Sequence, residues 1–323
     1  MNPLIKLFHN YPAGFISGAK LSEELGVSRT AIWKQIRKLE AQGYEFEAST
    51  KLGYRLVSAP KLINEEQLKK KLRTERFGKQ LKLFDAVDST QNVAREAAEN
   101  GAAEGALFIA EQQNNGRGRM GRVWISPAGK GIWMSLVLRP DMPVQFAPQL
   151  TLLTAVALCT SLREQTRLPI GIKWPNDLLI DRKKISGILL ESTAEDTRLK
   201  YIIAGIGISV NLCDADYEAK MLSKAVSLRM AAGRQFDRED IIAHFLEKWE
   251  QLYDLYKLQG FQAIVPLWES LSVSIGKAAV ITTPQGVIIG VPTGLEESGA
   301  IKVRLEDGSE KSIFSAEMGE PLD

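Results

Sequence analysis

Gly116, Gly118 and Gly121 spell GxGxxG at a point where no long helix can follow, and that fixes what the middle of this chain can fold into. In a dinucleotide-binding fold those glycines open a helix, and an acidic residue follows about 20 residues later. Here the run from Gln112 to Gly131 reads QQNNGRGRMGRVWISPAGKG, and Pro127, Gly129 and Gly131 forbid such a helix. Apolar runs flank it on both sides, Ala106–Glu111 (ALFIAE) before and Ile132–Arg139 (IWMSLVLR) after, each the length and make-up of a strand. No GxxxxGK[ST] phosphate loop occurs anywhere. The segment is a strand-to-strand loop whose chemistry is that of its arginines. Arg117, Arg119 and Arg122 alternate with glycine, and like charges this close repel unless an anion neutralises them. Glycine lets backbone wrap a ligand closely, and guanidinium forks match phosphate or carboxylate oxygens. The expectation is a loop that is loose when empty and orders around a phosphate ester. A surface loop with spare arginines, or a nucleic-acid contact, is the competing reading.

Around this loop the pattern alternates strand and helix. Leu81–Val87 reads as a strand, followed by Asp88-Ser89-Thr90-Gln91 and an Ala-rich helix ending at Asn100-Gly101. Leu150–Leu162 is a helix of small and aliphatic residues, expected in the core. Ile170–Asp181 (IGIKWPNDLLID) is two short strands interrupted by Trp174-Pro175-Asn176-Asp177, because proline cannot donate in a ladder and Asn-Asp favours a turn. That turn presents Lys173 and Asp177. Lys183 through Gly187 leads into a strand at Ile188–Glu191. Tyr201–Asn211 is an apolar strand in which Gly205 and Gly207 permit close approach of backbone or ligand.

The chain's head is different. Ser17–Gly43 carries Leu21 and Leu25 on one helical face, a break at Gly26, an N-cap at Ser28, and Ala31/Ile32, Ile36 and Leu39 on the inner face of a second helix. Arg29, Thr30, Trp33, Lys34 and Arg37 lie off that stripe. Tyr44–Val57 then alternates about a Lys51-Leu52-Gly53 turn, a hairpin wing. Two helices across a glycine turn with a basic second helix make a DNA-reading unit, and Ser28, Arg29, Thr30, Trp33 and Lys34 are its expected DNA contacts. Charge agrees: residues 1–82 carry 16 Lys and Arg against 8 Asp and Glu, the remainder 25 against 31. Pro60 marks a boundary, and the charged stretch to Lys82 reads as a connecting helix capped by Asn64, with Glu65 and Glu66 in its first turn and Lys69–Lys71 later.

Several classes drop out. The chain has two His and two Cys in 323 residues. His9 and His244 sit in no metal or nucleophile motif, and Cys159 and Cys213 form no CxxC, so no metal ligands are assigned. A hydrolase triad is open only if one of those lone His serves. Two cysteines give no disulfide framework and suit a reducing cytoplasm. Met1–Asn10 lacks a signal peptide's h-region, and the best apolar run, Leu150–Cys159, is too short to cross a membrane. The length implies two or three domains. At the far end, Asp237 caps a helix carrying Ile241, Ile242, Phe245, Trp249, Leu252 and Tyr256 at helical spacing. Beyond Ser272 short strands follow, Ala279–Thr282, Val287–Val291, Ala300–Leu305 and Ser312–Phe314, with turns at Pro284-Gln285-Gly286 and Asp307-Gly308. The division expected is a winged helix-turn-helix at 1–60, a catalytic domain at 61–270 and a small SH3-like β-barrel at 271–323.

In order along the chain, Asp88-Ser89-Thr90-Gln91, Gln113 with Gly116-Arg117-Gly118-Arg119, Lys173-Trp174-Pro175-Asn176-Asp177, Lys184 through Gly187 and Gly205–Asn211 resemble the bifunctional biotin protein ligases that double as biotin-operon repressors. The resemblance covers essentially the full length, and the GRGR and KWPND pair in this order is its most specific part. It implies an α+β multidomain protein with a central mixed-sheet domain of the biotin/lipoate ligase, class II synthetase-like type. It implies a two-step reaction, in which biotin and ATP give biotinyl-5′-AMP, and biotin then passes to a lysine of a biotin carboxyl carrier domain, that of acetyl-CoA carboxylase or another biotin-dependent carboxylase. Mg²⁺ accompanies ATP. By the same resemblance Ser89, Thr90, Gln91, Gln113, Arg117, Gly118, Arg119 and Lys184 line the biotin and adenylate site. Arg119, Asp177 and Lys184 are its catalytic residues, with Asp177 orienting the incoming lysine or a metal. Gln91 stands where Asn is common and Met120 where another basic residue is. Leu212–Lys224 matches poorly, so no adenine contacts are assigned there. The resemblance further implies a homodimer on two half-sites of operator DNA, and no membrane partner. A ligand-sensing repressor without catalysis and a lipoate or octanoate ligase are the alternatives.

Overall fold

The computed structural model describes residues 3–11, 14–41, 43–59 and 61–321. Its contacts divide the chain into Met1–Leu62 with Pro127–Lys130, and Ile63–Ser126 with Gly131–Asp323.

The first unit holds α1 (Pro3–Asn10), α2 (Gly18–Leu25), α3 (Arg29–Ala41), and the antiparallel pair β1 (Glu45–Ser49) and β2 (Gly53–Ser58). Ser17 caps α2, its side chain accepting from the Lys20 N–H. Gly26 ends α2 at φ 64°, a left-handed conformation that costs glycine little. Ser28 Oγ accepts from the Ala31 N–H at 3.2 Å and starts α3. Leu4, Ile5, Phe8, Ile16, Leu21, Ile32, Ile36 and Leu39 form the buried centre. Ser28, Arg29, Thr30, Trp33, Lys34 and Arg37 all face solvent. Trp33 is 48% exposed, large for an indole, with the Arg37 guanidinium 5.6 Å from its ring.

The second unit opens with α4 (Glu65–Lys71), capped by Asn64 through the Gln67 N–H. The connecting helix is shorter than its charge run suggests. It stops at Lys71 because the Glu250 carboxylate accepts the N–H groups of Glu75 and Arg76, at 2.7 and 2.8 Å, and draws that stretch out of helical register. Then follow β3 (Leu81–Val87), α5 (Thr90–Glu99), β4 (Leu107–Gln113), β5 (Ile132–Leu138), α6 (Ala147–Thr166), β6 (Gly171–Lys173), β7 (Asp177–Ile180), β8 (Lys183–Glu195), β9 (Arg198–Ile208), α7 (Leu228–Ala232), α8 (Arg238–Gln259) and α9 (Val265–Leu271). The strands make a seven-stranded sheet in the order β3-β4-β5-β9-β8-β7-β6. Its β3–β4 pair is parallel and the others are antiparallel, so it is mixed. The lead-in at Lys183 and the strand at Ile188 are one strand, since β8 pairs with β9 along most of its length.

α6 runs further than Leu150–Leu162. The stretch Val144–Thr166 is, by length and composition, apolar enough to cross a membrane, at a mean hydropathy of 1.3. In the fold it is a core helix packed on α8, and Leu150, Leu153, Ala157, Leu158 and Leu162 are fully buried.

The remaining strands, β10 (Ala279–Thr283), β11 (Gly286–Leu295), β12 (Ile301–Leu305), β13 (Glu310–Ile313) and β14 (Glu317–Pro321), form an antiparallel sheet in the order β13-β12-β11-β10-β14. A sheet of short curled strands is compatible with the SH3-like module expected from the sequence.

One buried ion pair ties this unit together. Arg238, at the start of α8, donates to both oxygens of Glu111 on β4 at 2.7 and 3.2 Å, and to the Gly131 carbonyl at 3.0 Å. Glu111 also accepts the Ile63 N–H. Both side chains are 3% exposed. Removing one partner strands a buried charge, so Glu111→Ala is expected to cost about 3–5 kcal/mol. The check is the melting temperature of the purified variant; an unchanged value would show that the pair contributes nothing net.

Candidate active site

The sheet brings the expected site residues together at one cavity. Ser89 caps α5, its Oγ accepting from the Gln91 N–H, so the turn after β3 aims Ser89, Thr90 and Gln91 at the end of β4. Gln113 closes β4, and its Oε1 accepts from the Thr90 N–H at 2.9 Å and from the Thr90 hydroxyl at 3.1 Å. The turn from Lys173 to Asp177 holds a cis Trp174–Pro175 bond and joins β6 to β7. Lys184 is the second residue of β8. Ser89, Thr90, Gln91, Gln113, Arg117, Gly118, Arg119, Asp177 and Lys184 all line a single cavity of about 780 Å³, within the size range of small-molecule sites.

The three loop arginines fare differently. Arg117 donates to Asn92 Oδ1 at 2.8 Å and to Glu191 Oε2 at 3.1 Å. Arg122 pairs with Glu317 of β14, and that pairing holds the Glu317 carboxyl below its ordinary range. Two of the expected repulsive charges are therefore neutralised within the protein. Arg119 donates to Asn176 Oδ1 at 3.1 Å and lies 3.5 Å from Ser315 Oγ, and among the described residues it has no carboxylate within ion-pair distance. Burial pulls its guanidinium below the ordinary value, an effect that Asp177 opposes and Arg122 adds to. Lys184 Nζ is 2.6 Å from Asp177 Oδ1 and 5.2 Å from the Trp124 ring centre.

Sequence reasoning missed four contributors. Trp124 covers the cavity floor over Gly187 and Gly207, and its Nε1 is buried without a hydrogen-bond partner. Asn176 orients Arg119. Tyr217, Met221 and Lys224 line the cavity from the stretch given no role, and Ala225 follows it. That stretch folds as short 3₁₀ turns, so it has no helical period to read. It is stitched in place by the Lys184 N–H to the Lys224 carbonyl at 2.8 Å and by the Val226 N–H to the Lys184 carbonyl at 3.0 Å. Glu191 sits behind the wall. Trp124, an aromatic within an arginine loop, and Asn176, inside the KWPND motif, carried signals that could have been used.

For His244 the hydrolase reading fails on access; the His9 side chain lies outside the described residues. His244 Nδ1 is 3.0 Å from Ser161 Oγ and its Nε2 is 3.2 Å from Glu164, but Ser161 is completely buried on α6 and presents no nucleophile.

A β-carbon at Gly207 would lie 2.5 Å from Trp124 Nε1. Gly207→Ala is therefore expected to push the indole into the cavity and weaken nucleotide and biotin binding by at least about tenfold, since overpacking a fixed ring costs about 1–3 kcal/mol. Isothermal titration checks this, and equal affinities would exclude it.

With this geometry in view, the relatives decide the family. The chain is 44% identical over 315 residues to the Bifunctional ligase/repressor BirA of Bacillus subtilis, spanning 98% of this chain and 97% of that protein. The chain belongs to the bifunctional ligase/repressor family. The Escherichia coli ligase/repressor is 28% identical over 94% of each chain. A family model for the Biotin/lipoate A/B protein ligase family matches residues 83–209, and an HTH domain model matches 4–55. Among solved structures, the biotin protein ligase of Aquifex aeolicus in complex with biotin and ATP aligns at a TM-score of 0.64 and 30% identity, over 75% of this chain and 98% of that one. This ligase/repressor thus joins a helix-turn-helix head to a biotin ligase fold.

Proposed function

We infer that the protein activates biotin with ATP as biotinyl-5′-AMP, transfers biotin to a lysine of a biotin carboxyl carrier domain such as that of acetyl-CoA carboxylase, and represses biotin-synthesis genes when the adenylate is bound. The observation that carries this is one cavity lined by two chemically different groups. Neutral polar residues, Ser89, Thr90, Gln91 and Gln113, gather about the start of α5 and the end of β4, and the cations Arg119 and Lys184 contact Asn176 and Asp177 of the β6–β7 turn. Biotin is itself divided in this way, into a neutral ureido ring and a charged carboxylate.

Acyl-adenylate chemistry needs positioning and charge neutralisation more than a protein nucleophile. Lys184 holds the biotin carboxylate against the α-phosphate of ATP, and Arg119 neutralises charge as pyrophosphate leaves. In the second step the acceptor amine attacks the acyl carbon and AMP departs, with Asp177 orienting the amine. A Mg²⁺ ion accompanying ATP would supply further neutralisation of phosphate charge. Asp177, beside Lys184, is a carboxylate on that side of the cavity available to it.

The DNA contacts we assign are Ser28, Arg29, Thr30, Trp33 and Lys34, all exposed at or near the start of α3. Each head carries one recognition helix, so two half-sites call for a homodimer. Two cysteines, both free, fit a reducing cytoplasm. The boundaries 1–60, 61–270 and 271–323 remain our domain assignment.

Native mass spectrometry after incubation with biotin, ATP and Mg²⁺ tests this. The expected result is a retained biotinyl-AMP adduct with a shift toward dimer. Bound biotin without adenylate or pyrophosphate would favour a sensor without catalysis. Displacement of biotin by lipoate would favour the lipoate ligase.

A further inference from the structure

Glu191, on β8, is absent from the sequence motifs and does not line the cavity, yet it gathers three side chains, of which Gln91 and Arg117 line the cavity. Arg95 of α5 donates to its Oε2 at 2.7 Å, Arg117 of the loop at 3.1 Å and the Gln91 amide at 3.0 Å. We propose that Glu191 is a positioning residue for biotin: it fixes the orientation of the Gln91 amide and fastens the ligand loop at Arg117. This rests on the reading of the cavity as the biotin site.

A side-chain amide has nearly equivalent ends, and its surroundings decide which way it faces. Gln91 Nε2 meets only acceptors, the Leu189 carbonyl at 3.2 Å, the Ile203 carbonyl at 3.5 Å and the Glu191 carboxylate. The charged acceptor makes the strongest of these bonds. Gln91 Oε1 is therefore left facing the Ser135 hydroxyl at 2.9 Å. Ser135 is fully buried and also lies 2.8 Å from Thr90 Oγ1. The Thr90 hydroxyl reaches Gln113 Oε1, Gln113 Nε2 donates to Ser126 Oγ at 3.0 Å, and Ser126 donates to the Trp124 carbonyl at 3.1 Å.

Each hydroxyl has one hydrogen to give. With the Ser135 hydrogen on Gln91 Oε1 and the Thr90 hydrogen on Gln113 Oε1, Glu191 sets the Gln91 amide directly, while the Gln113 amide is set by Thr90 and Ser126. Thr90, Gln91 and Gln113 line the cavity. A ureido group offers one carbonyl and two N–H groups, and a wall whose donors and acceptors are reversed leaves buried polar groups unpaired. The second end of the clamp is Arg117, which Glu191 and Asn92 hold from opposite sides.

The test is Glu191→Gln, which keeps the shape and removes the charge. Its biotin Kd by isothermal titration without ATP, and its KM for biotin, are expected to rise by about tenfold, the scale of a bond to a charged group. The KM for ATP and kcat are expected to stay near wild type. Glu191→Asp, which keeps the charge, recovers part of the loss. An unchanged biotin KM in Glu191→Gln overturns the proposal. So does a loss shared equally by kcat, ATP and biotin with a lowered melting temperature, which marks a purely structural residue. A wild-type protein that binds no biotin removes the reading of the site, and the proposal with it.

Discussion

Lys184→Ala stops biotinyl-adenylate formation, lowering its rate by at least about 10²–10³, the usual cost of deleting one preorganised charge-stabilising donor. Lys184 Nζ has Asp177 Oδ1 at 2.6 Å. A carboxylate substrate can take that cation only by matching what Asp177 gives it, so the pair acts as a stand-in for the substrate anion. Without the ammonium, two anions, the biotin carboxylate and the α-phosphate, must approach each other beside the uncompensated Asp177. Pyrophosphate release in a single turnover, with saturating biotin and ATP, reads the effect directly. The transfer half-reaction, started from synthetic biotinyl-AMP, is expected to fall less, because the acid is already activated. A variant that forms adenylate at the wild-type rate would remove Lys184 from the chemistry.

Arg119→Gly is expected to release biotinyl-AMP at least about tenfold to a hundredfold faster, since a hydrogen bond to a charged group is worth about 1.5–3 kcal/mol. The reasoning starts from how the loop charges are partnered. Arg117 and Arg122 each have a carboxylate, Glu191 and Glu317, whereas Arg119 has the neutral Asn176 and Ser315. A half-buried guanidinium without an anion is poised to gain the most from a phosphate. Its loss leaves the rest of the loop tethered, so the cavity still forms the adenylate but holds it poorly. Adenylate retained through gel filtration gives the measure, and the ligand-dependent shift toward dimer is expected to weaken in parallel. Wild-type retention in the variant would sink the assignment of Arg119.

What the sequence revealed and what it hid follow from the range of the forces. β3 begins and ends at Leu81 and Val87 as its apolar run does, and the caps at Ser28, Asn64 and Asp237 act where local chemistry put them. These are interactions over three or four residues. The motif residues of the ligase were also legible, because their order along the chain is distinctive. The length of α4 was not, because the groups that end it sit on Glu250, about 175 residues away. The pairing of Arg117 with Glu191 spans 74 residues and that of Arg122 with Glu317 spans 195, so the loop's net charge looked more exposed than it is. Tyr217 and Met221 were hidden because their stretch has neither helical nor strand period.

α6 also bears on how the chain is made. Apart from the turn leading into it, the elements packed most closely on it, β6, β7, β8, α8 and α9, all come later in the sequence. At roughly 5–20 residues per second of synthesis, the stretch of about 70 residues between the end of α6 and the start of α8 takes several seconds to appear. Through that interval a helix apolar enough to enter a bilayer leaves the ribosome without its main partner. A ribosome stalled near Gly233 therefore holds this protein in the form most exposed to membrane-targeting factors and to chaperones, a hazard that ends once α8 emerges.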